Sequence, residues 1–486
     1  MGGRLRELLQ EVPPDLYING EWDHSSDGQR FEVVDPATEE VICSVASASV
    51  EDGCSAVDAA EGAFAGWAMR TPRARSEVLR KAFEILIRER ERFARLITWE
   101  NGKSLADARS EVTYAAEFFR WYAEEAVRNI GELTQGPTTG ARILVQHRPS
   151  GVVLLITPWN YPLAMATRKI GPALAAGCPI VVKPASETPL SMLALMPVLQ
   201  EAGVPAGLVN VIPSRRSGAV VDAILKDSRI RVVSFTGSTQ VGRVLLKSGA
   251  QNIVNSVMEL GGNAPFIVFE DADIATALDG AVVAKMRNMG EACTAANRFF
   301  VHESVHEAFA KGLTARMENL KIGNGLDESV SVGPLVNAAT RDKVDSLVAD
   351  AINKGARLRT GGRRPGGKGF FYPATVLDHV PDTADLLREE IFGPVAAIQA
   401  FRGEDEVIRR ANSTEYGLVA YLYCRDIGRG LRLSERLEFG MIGLNRGLVS
   451  DPAAPFGGMK QSGIGREGAH EGINEFLETQ YVSLTW

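Results

Sequence analysis

The chain has 486 residues, 45% of them hydrophobic and 23% charged, with a formal net charge of −7. That length exceeds one ordinary core and suggests about three domains, large enough to fold without metal or disulfide staples. The acidic balance and the lack of a basic block argue against nucleic acid as the main partner. No apolar run reaches the roughly 20 residues of a membrane span, so no membrane partner is expected.

The first candidate feature, MGGRLRELLQEVPPD, has neither an apolar core nor a small-residue cleavage site. It does not read as a secretory signal, and the expected location is cytoplasmic. From Leu16, LYINGEWDHSSDGQRFEVVDPATEEVICSVASAS alternates apolar and polar residues around Asn19-Gly20 and Asp27-Gly28, which predicts hairpins. From Val57 to about Val127 the pattern is helical, with Asn101-Gly102 as a break, and Arg142 to Arg148 alternates again as an exposed strand. Short apolar runs at Val152–Ile156, Ile180–Val182, Val209–Ile212, Val232–Phe235 and Phe266–Phe269 predict buried strands, with helical segments between them. That alternation implies an α/β fold with a mostly parallel sheet covered on both faces, and ligands beyond the carboxyl ends of its strands. After Asp273 a second α/β series runs to about Glu471.

The five cysteines (Cys43, Cys54, Cys178, Cys293, Cys424) are scattered and without a C-x-x-C pair. They fit a reducing compartment and suggest neither disulfides nor zinc. The six histidines form no ligand motif, so no metal is expected. Cys293, in RNMGEACTAANRFFVHE, falls between a predicted helix (Ile274 to Met289) and a predicted strand (Arg298 to Val301), with Gly290 allowing a tight path before it. It reads either as a nucleophile on a loop or as a small buried hydrophobe. Glu259, between Met258 and Leu260, is an exposed strand-end residue or a buried carboxyl with a raised pKa suited to general-base work. FTGSTQVG (Phe235 to Gly242) offers backbone donors to phosphate or a plain serine N-cap. TPWNYP (Thr157 to Pro162) sets Trp159 and Asn160 between two prolines, where a rigid amide could serve an oxyanion or the segment could be an ordinary turn. VVKPASETP (Val181 to Pro189) puts Lys183 at a strand end, within reach of a phosphate or ribose unless it is a surface lysine.

In that order, with EEIFGPV (Glu389 to Val395) and PFGGMKQSGIGREG (Pro455 to Gly468), these segments resemble the aldehyde dehydrogenase superfamily from about Leu16 to the C-terminus. The resemblance implies Cys293 as nucleophile, Glu259 as base, and Asn160 with the Cys293 N–H as oxyanion donors. It implies that Lys183, Gly237, Ser238 and Glu390 contact a dinucleotide, with Trp159, Leu260 and Phe392 nearby. A thiohemiacetal on Cys293 gives hydride to the nicotinamide, and water cleaves the resulting thioester. The implied organisation is a dinucleotide-binding domain over 1–129 and 150–259, an interleaved catalytic domain over 260–471, and a β oligomerisation arm over 130–149 and 472–486, in a homodimer or homotetramer. Many members carry glutamine where this chain has Glu291, and a carboxylate there is expected to raise the Cys293 pKa.

Arg168 and Arg287 occupy places that commonly hold aromatic residues in members acting on apolar aldehydes. Together with VIPSRRSG and GLVSDPAAPFGG they resemble the succinate-semialdehyde dehydrogenase branch. This implies two arginines on the substrate's distal carboxylate, a hydroxyl from Ser450, and Phe456 on the carbon chain. Glutarate semialdehyde, a broad aldehyde range with the arginines turned outward, and a silent structural relative such as the lens crystallins of this fold are the alternatives. Ser186, three residues after Lys183, stands where NAD-preferring members often have glutamate. That favours NADP with NAD possible, although Glu187 could return a carboxylate to the ribose.

Overall fold

A computed structural model describes residues 8–10 and 12–486. The central apolar runs form an eight-stranded sheet in the order 463–464, 255–259, 230–236, 152–156, 180–183, 209–211, 16–18, 21–23. Its five central strands are parallel and the edges antiparallel. Parallel neighbours need crossovers, supplied by helices such as Ala164–Ala176 and Leu190–Ala202. Helices cover both faces, so Val152–Ile156 and Ile180–Lys183 bury every residue and read as unbroken apolar runs rather than alternating ones. Val152–Ile156 pairs with Ile180–Lys183 on one side and Ile230–Thr236 on the other. The chain therefore builds one flank and then the other, and the loops leaving Ile156 and Thr236 part to open a crevice.

The helical stretch resolves into Val50–Ala68, Pro72–Arg88, Arg90–Asn101 and Leu105–Glu125. Ser49, Thr71 and Ser104 cap three of them by accepting from backbone N–H groups. Gly102 ends the third at φ 97°, where an added Cβ would lie 2.9 Å from Pro334 Cγ. Asn19-Gly20 makes the expected hairpin between Leu16–Ile18 and Glu21–Asp23. Asp27-Gly28 does not: the next hairpin, Arg30–Val34 with Val41–Ala46, closes over a loop in which the Asp35 carboxylate accepts from Ala37 N–H and the Thr38 hydroxyl.

A second, seven-stranded sheet runs in the order 357–360, 375–378, 395–401, 296–302, 264–268, 419–423, 441–444, parallel except at its first pair. Phe266 anchors its core, stacked on Tyr423 at 4.9 Å and tilted against Phe299 at 5.1 Å. The helix expected to reach Met289 stops at Met286, because Asn288 and Met289 turn into the left-handed region ahead of Gly290. A three-stranded antiparallel sheet joins Leu477–Leu484, Arg142–Pro149 and Glu132–Gln135. No described helix is long and apolar enough to cross a membrane.

Candidate active site

The two sheets meet the crevice with opposite ends. Asn160, Lys183, Gly237, Ser238 and Glu259 sit at or beyond carboxyl ends of the first sheet. Cys293 instead precedes Ala296–His302, and Glu390 and Phe392 precede Val395–Phe401, at amino ends of the second. The expectation that all candidates lie beyond carboxyl ends holds for the first sheet alone.

A cavity of about 250 Å³ is walled by Cys293, Asn160, Trp159, Arg168, Arg287, Leu260, Gly237, Ser238, Glu390, Phe392, Ser450 and Phe456. A groove of about 410 Å³ shares Trp159, Gly237 and Ser238 with it and adds Lys183, Ser186 and Glu187. Of the residues singled out from sequence, Glu259 and Glu291 border neither space.

Cys293 is half-buried, and its N–H donates to no acceptor among the described residues. Its path is tight: a Cβ on Gly262 would lie 2.5 Å from the Cys293 carbonyl oxygen, and one on Gly290 would lie 2.2 Å from that of Gly393. Desolvation pushes the thiol up to about 12, with Arg168 and Arg287 opposing and Glu259 and Glu390 adding. Glu291 is not among these influences, contrary to the expectation from its position. Its side chain turns away to accept from Val336 N–H at 3.1 Å, and burial pushes its pKa well above the usual carboxylate range.

Asn160 is 4% exposed. Hydrogen bonds, rather than the flanking prolines alone, fix it. Its carbonyl accepts from Lys103 Nζ at 2.7 Å and Asn288 Nδ2 at 2.9 Å, and the Trp159 carbonyl accepts from Asn101 Nδ2 at 3.1 Å. Asn160 Nδ2 gives one proton to the Glu291 carbonyl at 3.0 Å, leaving a second N–H unspent.

Glu259 lies behind the cavity wall, 2% exposed, with neither carboxyl oxygen hydrogen-bonded. Burial and then the neighbouring Glu467 raise its pKa well above the usual range. Burial works the same way on Glu467, but Lys169 and Arg168 outweigh it and hold that carboxyl below its usual range. The proton of this pair therefore rests on Glu259. Glu467 and Lys169 were missed from sequence, although Glu467 lies within PFGGMKQSGIGREG and Lys169 directly follows Arg168. Their pairing spans about 300 residues, a separation of 298.

The arginines do not turn outward. Arg168 donates to Glu467 Oε2 at 3.2 Å and to the Tyr114 hydroxyl at 2.7 Å. Arg287 donates to the Tyr161 hydroxyl at 3.0 Å and Ser450 Oγ at 3.4 Å. Tyr161, inside TPWNYP, was also not singled out.

In the groove, Lys183 is 7% exposed and its Nζ makes no hydrogen bond or ion pair among the described residues, and burial pulls its pKa down to about 8. A buried amine without a partner asks for an anionic or hydroxyl-bearing ligand. Gly237, whose N–H donates to the Glu259 carbonyl at 3.0 Å, and Ser238, which caps helix Thr239–Gly249, bring the N-terminus of that helix to the same space. Glu390 Oε1 accepts from Gly262 N–H at 3.1 Å, with burial raising its pKa to about 7, and Trp159 and Phe392 pack edge to face at 5.2 Å. These residues fit a dinucleotide. His306 also meets the adjacent pair Asp378 and His379, but His306 and Arg359 already occupy the two oxygens of Asp378.

A dinucleotide-type groove adjoining a cavity that holds a thiol has the layout of an oxidoreductase site. The chain belongs to the aldehyde dehydrogenase family, whose model matches residues 22–482 under the description "Aldehyde dehydrogenase family". It is 52% identical over 444 residues, 91% of this chain and 99% of the relative, to a succinate-semialdehyde dehydrogenase of Paenarthrobacter nicotinovorans. It is 46% identical to a glutarate-semialdehyde dehydrogenase of Pseudomonas putida, over 96% of this chain and 97% of the relative. A crystal structure of an E. coli NADP-dependent enzyme superposes with a TM-score of 0.97 at 44% identity, covering 98% and 99% of the two chains.

Proposed function

We propose that the chain oxidises succinate semialdehyde to succinate, with NADP preferred over NAD. The observation that carries this is Arg287. It is half-buried in the cavity of Cys293, meets only the neutral hydroxyls of Tyr161 and Ser450, and has no carboxylate within 4.0 Å among the described residues. A charge-assisted pair with a distal carboxylate completes it, and losing such a pair costs about 2–5 kcal/mol. The relatives named for succinate and glutarate semialdehydes support a carboxylate-bearing substrate, with the five-carbon compound as second choice.

In this reading Cys293 Sγ adds to the aldehyde carbon, and the free N–H groups of Asn160 and Cys293 hold the oxyanion. Phe456 packs on the carbon chain. Lys183, Ser186, Gly237, Ser238, Leu260, Glu390, Trp159 and Phe392 hold the dinucleotide, which supplies a hydride acceptor when bound. Glu259 turns toward the cavity, takes a proton from the water that cleaves the Cys293 thioester, and passes it on beside Glu467 and Lys169. The preference for NADP rests on unpartnered Lys183 and on Ser186, whose Oγ donates to Glu187 Oε2 at 3.3 Å and so keeps that carboxylate engaged. We assign 1–129 and 150–259 to dinucleotide binding, 260–471 to catalysis, and 130–149 with 472–486 to an oligomerisation arm of a cytoplasmic homodimer or homotetramer.

The test follows NAD(P)H formation over succinate semialdehyde, glutarate semialdehyde and butanal with each dinucleotide, with Cys293→Ala as the inactive control. Strong preference for a semialdehyde is expected; equal efficiency with butanal would refute the reading.

A further inference from the structure

Shortly before Cys293 the backbone passes through the left-handed region at Asn288 (φ 52°), Met289 (φ 58°) and Gly290 (φ 78°). Glycine takes that conformation freely and asparagine tolerates it, but methionine resists it, so the turn persists only where its surroundings hold it. Asn288, fully buried, supplies much of that hold. Its side-chain Nδ2 donates to the Asn160 carbonyl at 2.9 Å and to the Glu291 carbonyl at 2.9 Å. Its backbone N–H donates to Asp107 Oδ2 at 3.2 Å, and its carbonyl accepts from Glu291 N–H at 2.9 Å. Both side-chain partners are carbonyl oxygens, so only the NH2 end of the amide fits between them.

We infer that Asn288 is a positioning residue that aims the side-chain amide of Asn160 at the aldehyde oxygen. This rests on the oxyanion role given to Asn160 above. The Glu291 carbonyl held by Asn288 is the same atom that takes one N–H of Asn160 Nδ2, at 3.0 Å. A closed ring results, running from the Asn160 main chain through the Asn288 amide and the Glu291 carbonyl back to the Asn160 side chain. With the first N–H tied into that ring, the second is the one left for the cavity that Asn160 walls. The ring also joins the two sheets, since Asn160 follows Val152–Ile156 of the first and Glu291 precedes Ala296–His302 of the second. Asn288 thereby sets the oxyanion donor in register with the nucleophile two residues past Glu291. Asn288 itself does not wall the cavity, so it acts through Asn160 and not on the substrate. Without the clasp, the left-handed turn is free to relax and the amide loses its aim, and a displacement of about 1 Å is enough to cost on the order of 100-fold in rate.

The experiment measures kcat and KM on succinate semialdehyde and on butanal for wild type, Asn288→Asp, Asn288→Gly, Asn160→Ala, and Asn160→Ala combined with Asn288→Gly. Asn288→Asp keeps the size of the side chain and its tolerance of the left-handed turn while removing the NH2 donor; Asn288→Gly removes the clasp and relieves the backbone. Asn160→Ala is expected to lower kcat about 10²–10³-fold. Each Asn288 variant is expected to lower kcat about 10–100-fold with KM within about threefold of wild type, and equally on both aldehydes, because the aldehyde oxygen is common to them. Since Asn288 acts through Asn160, adding Asn288→Gly to Asn160→Ala is expected to cost less than about threefold more. Should the Asn288→Gly proteins fail to fold, the same comparison with Asn288→Asp decides. A merely structural Asn288 lowers the active fraction, so the two losses multiply in the combined variant. That result, a wild-type kcat in the Asn288 variants, or a loss confined to the semialdehyde overturns the inference and leaves the role of Asn160 intact. A wild-type kcat in Asn160→Ala overturns the oxyanion reading itself, and the inference with it.

Discussion

At Cys293 the crowding that shapes the cavity also suppresses its thiolate. A thiol held near pKa 12 by desolvation is almost wholly protonated at neutral pH, and its thiolate fraction climbs with pH. Inactivation of the dinucleotide-free enzyme by iodoacetamide is therefore expected to accelerate about tenfold per pH unit between roughly pH 7 and 9. A plateau reached below pH 8 would mean the thiol is already ionised by groups that outweigh burial. Glu259 gives a complementary expectation. Burial and the neighbouring Glu467 raise its pKa, which makes its carboxylate a stronger base, and Glu259→Gln should still acylate but hydrolyse the thioester slowly. Rapid-mixing kinetics should show a burst of NAD(P)H followed by a steady rate lowered about 10²–10⁴-fold; a wild-type steady rate would remove Glu259 from the scheme. Cys293, Asn160 and Arg287 were legible in the sequence because ordered motifs frame them. Glu467 and Lys169 were not, because their chemistry comes from a contact between distant segments that no local pattern encodes.

Single elements are held by groups from other elements. Helix Ala164–Ala176, which carries Arg168 and Lys169, has no side-chain cap of its own. Glu111, on Leu105–Glu125, accepts from Leu163 and Ala164 N–H at 3.0 and 3.2 Å and pairs with Lys103 Nζ at 2.5 Å. Lys103 in turn holds the Asn160 carbonyl. Removing one partner leaves a buried charge unpaired, so Lys103→Met is expected to cost roughly 3–5 kcal/mol in urea melts. It should also lower kcat more than it raises KM, if Asn160 acts on the developing oxyanion as proposed. Unchanged stability would show that the pair is dispensable. The loop after Ile180–Lys183 makes the other prediction at this scale. Ser186→Glu adds a carboxylate beside Lys183 that repels a 2′-phosphate and accepts from ribose hydroxyls, so kcat/KM is expected to shift toward NAD, measured at fixed salt. A wild-type preference for NAD that this change leaves alone would show that Ser186 does not set the choice.

Across the whole molecule, the buried parallel strands were readable as apolar runs, and so was the exposed strand Arg142–Pro149 from its alternation. What the sequence did not disclose was how remote segments complete each sheet. Gly463–Ile464 returns from the far end of the chain to pair with Asn255–Glu259, and the second sheet offers the cavity its amino ends. Pairings of that kind depend on tertiary contacts, not on local periodicity. In the three-stranded sheet, whose two segments the family resemblance had already put in one arm, Leu477–Leu484 pairs along the full length of Arg142–Pro149. Its two outer strands, Leu477–Leu484 and Glu132–Gln135, have open edges among the described residues, and Leu133 is 60%, Tyr481 59% and Trp486 80% exposed. Open edges flanked by exposed apolar side chains invite pairing with another chain. The wild-type protein is thus expected to run as a dimer or tetramer in light scattering at micromolar concentration, and Leu133→Asp with Tyr481→Asp is expected to yield a smaller species. None of the residues walling the cavity lies on these strands, so turnover per site is expected to survive dissociation in large part. A monomeric wild type would contradict the assignment of the arm; a smaller species devoid of activity would mean that assembly also holds the cavity in shape.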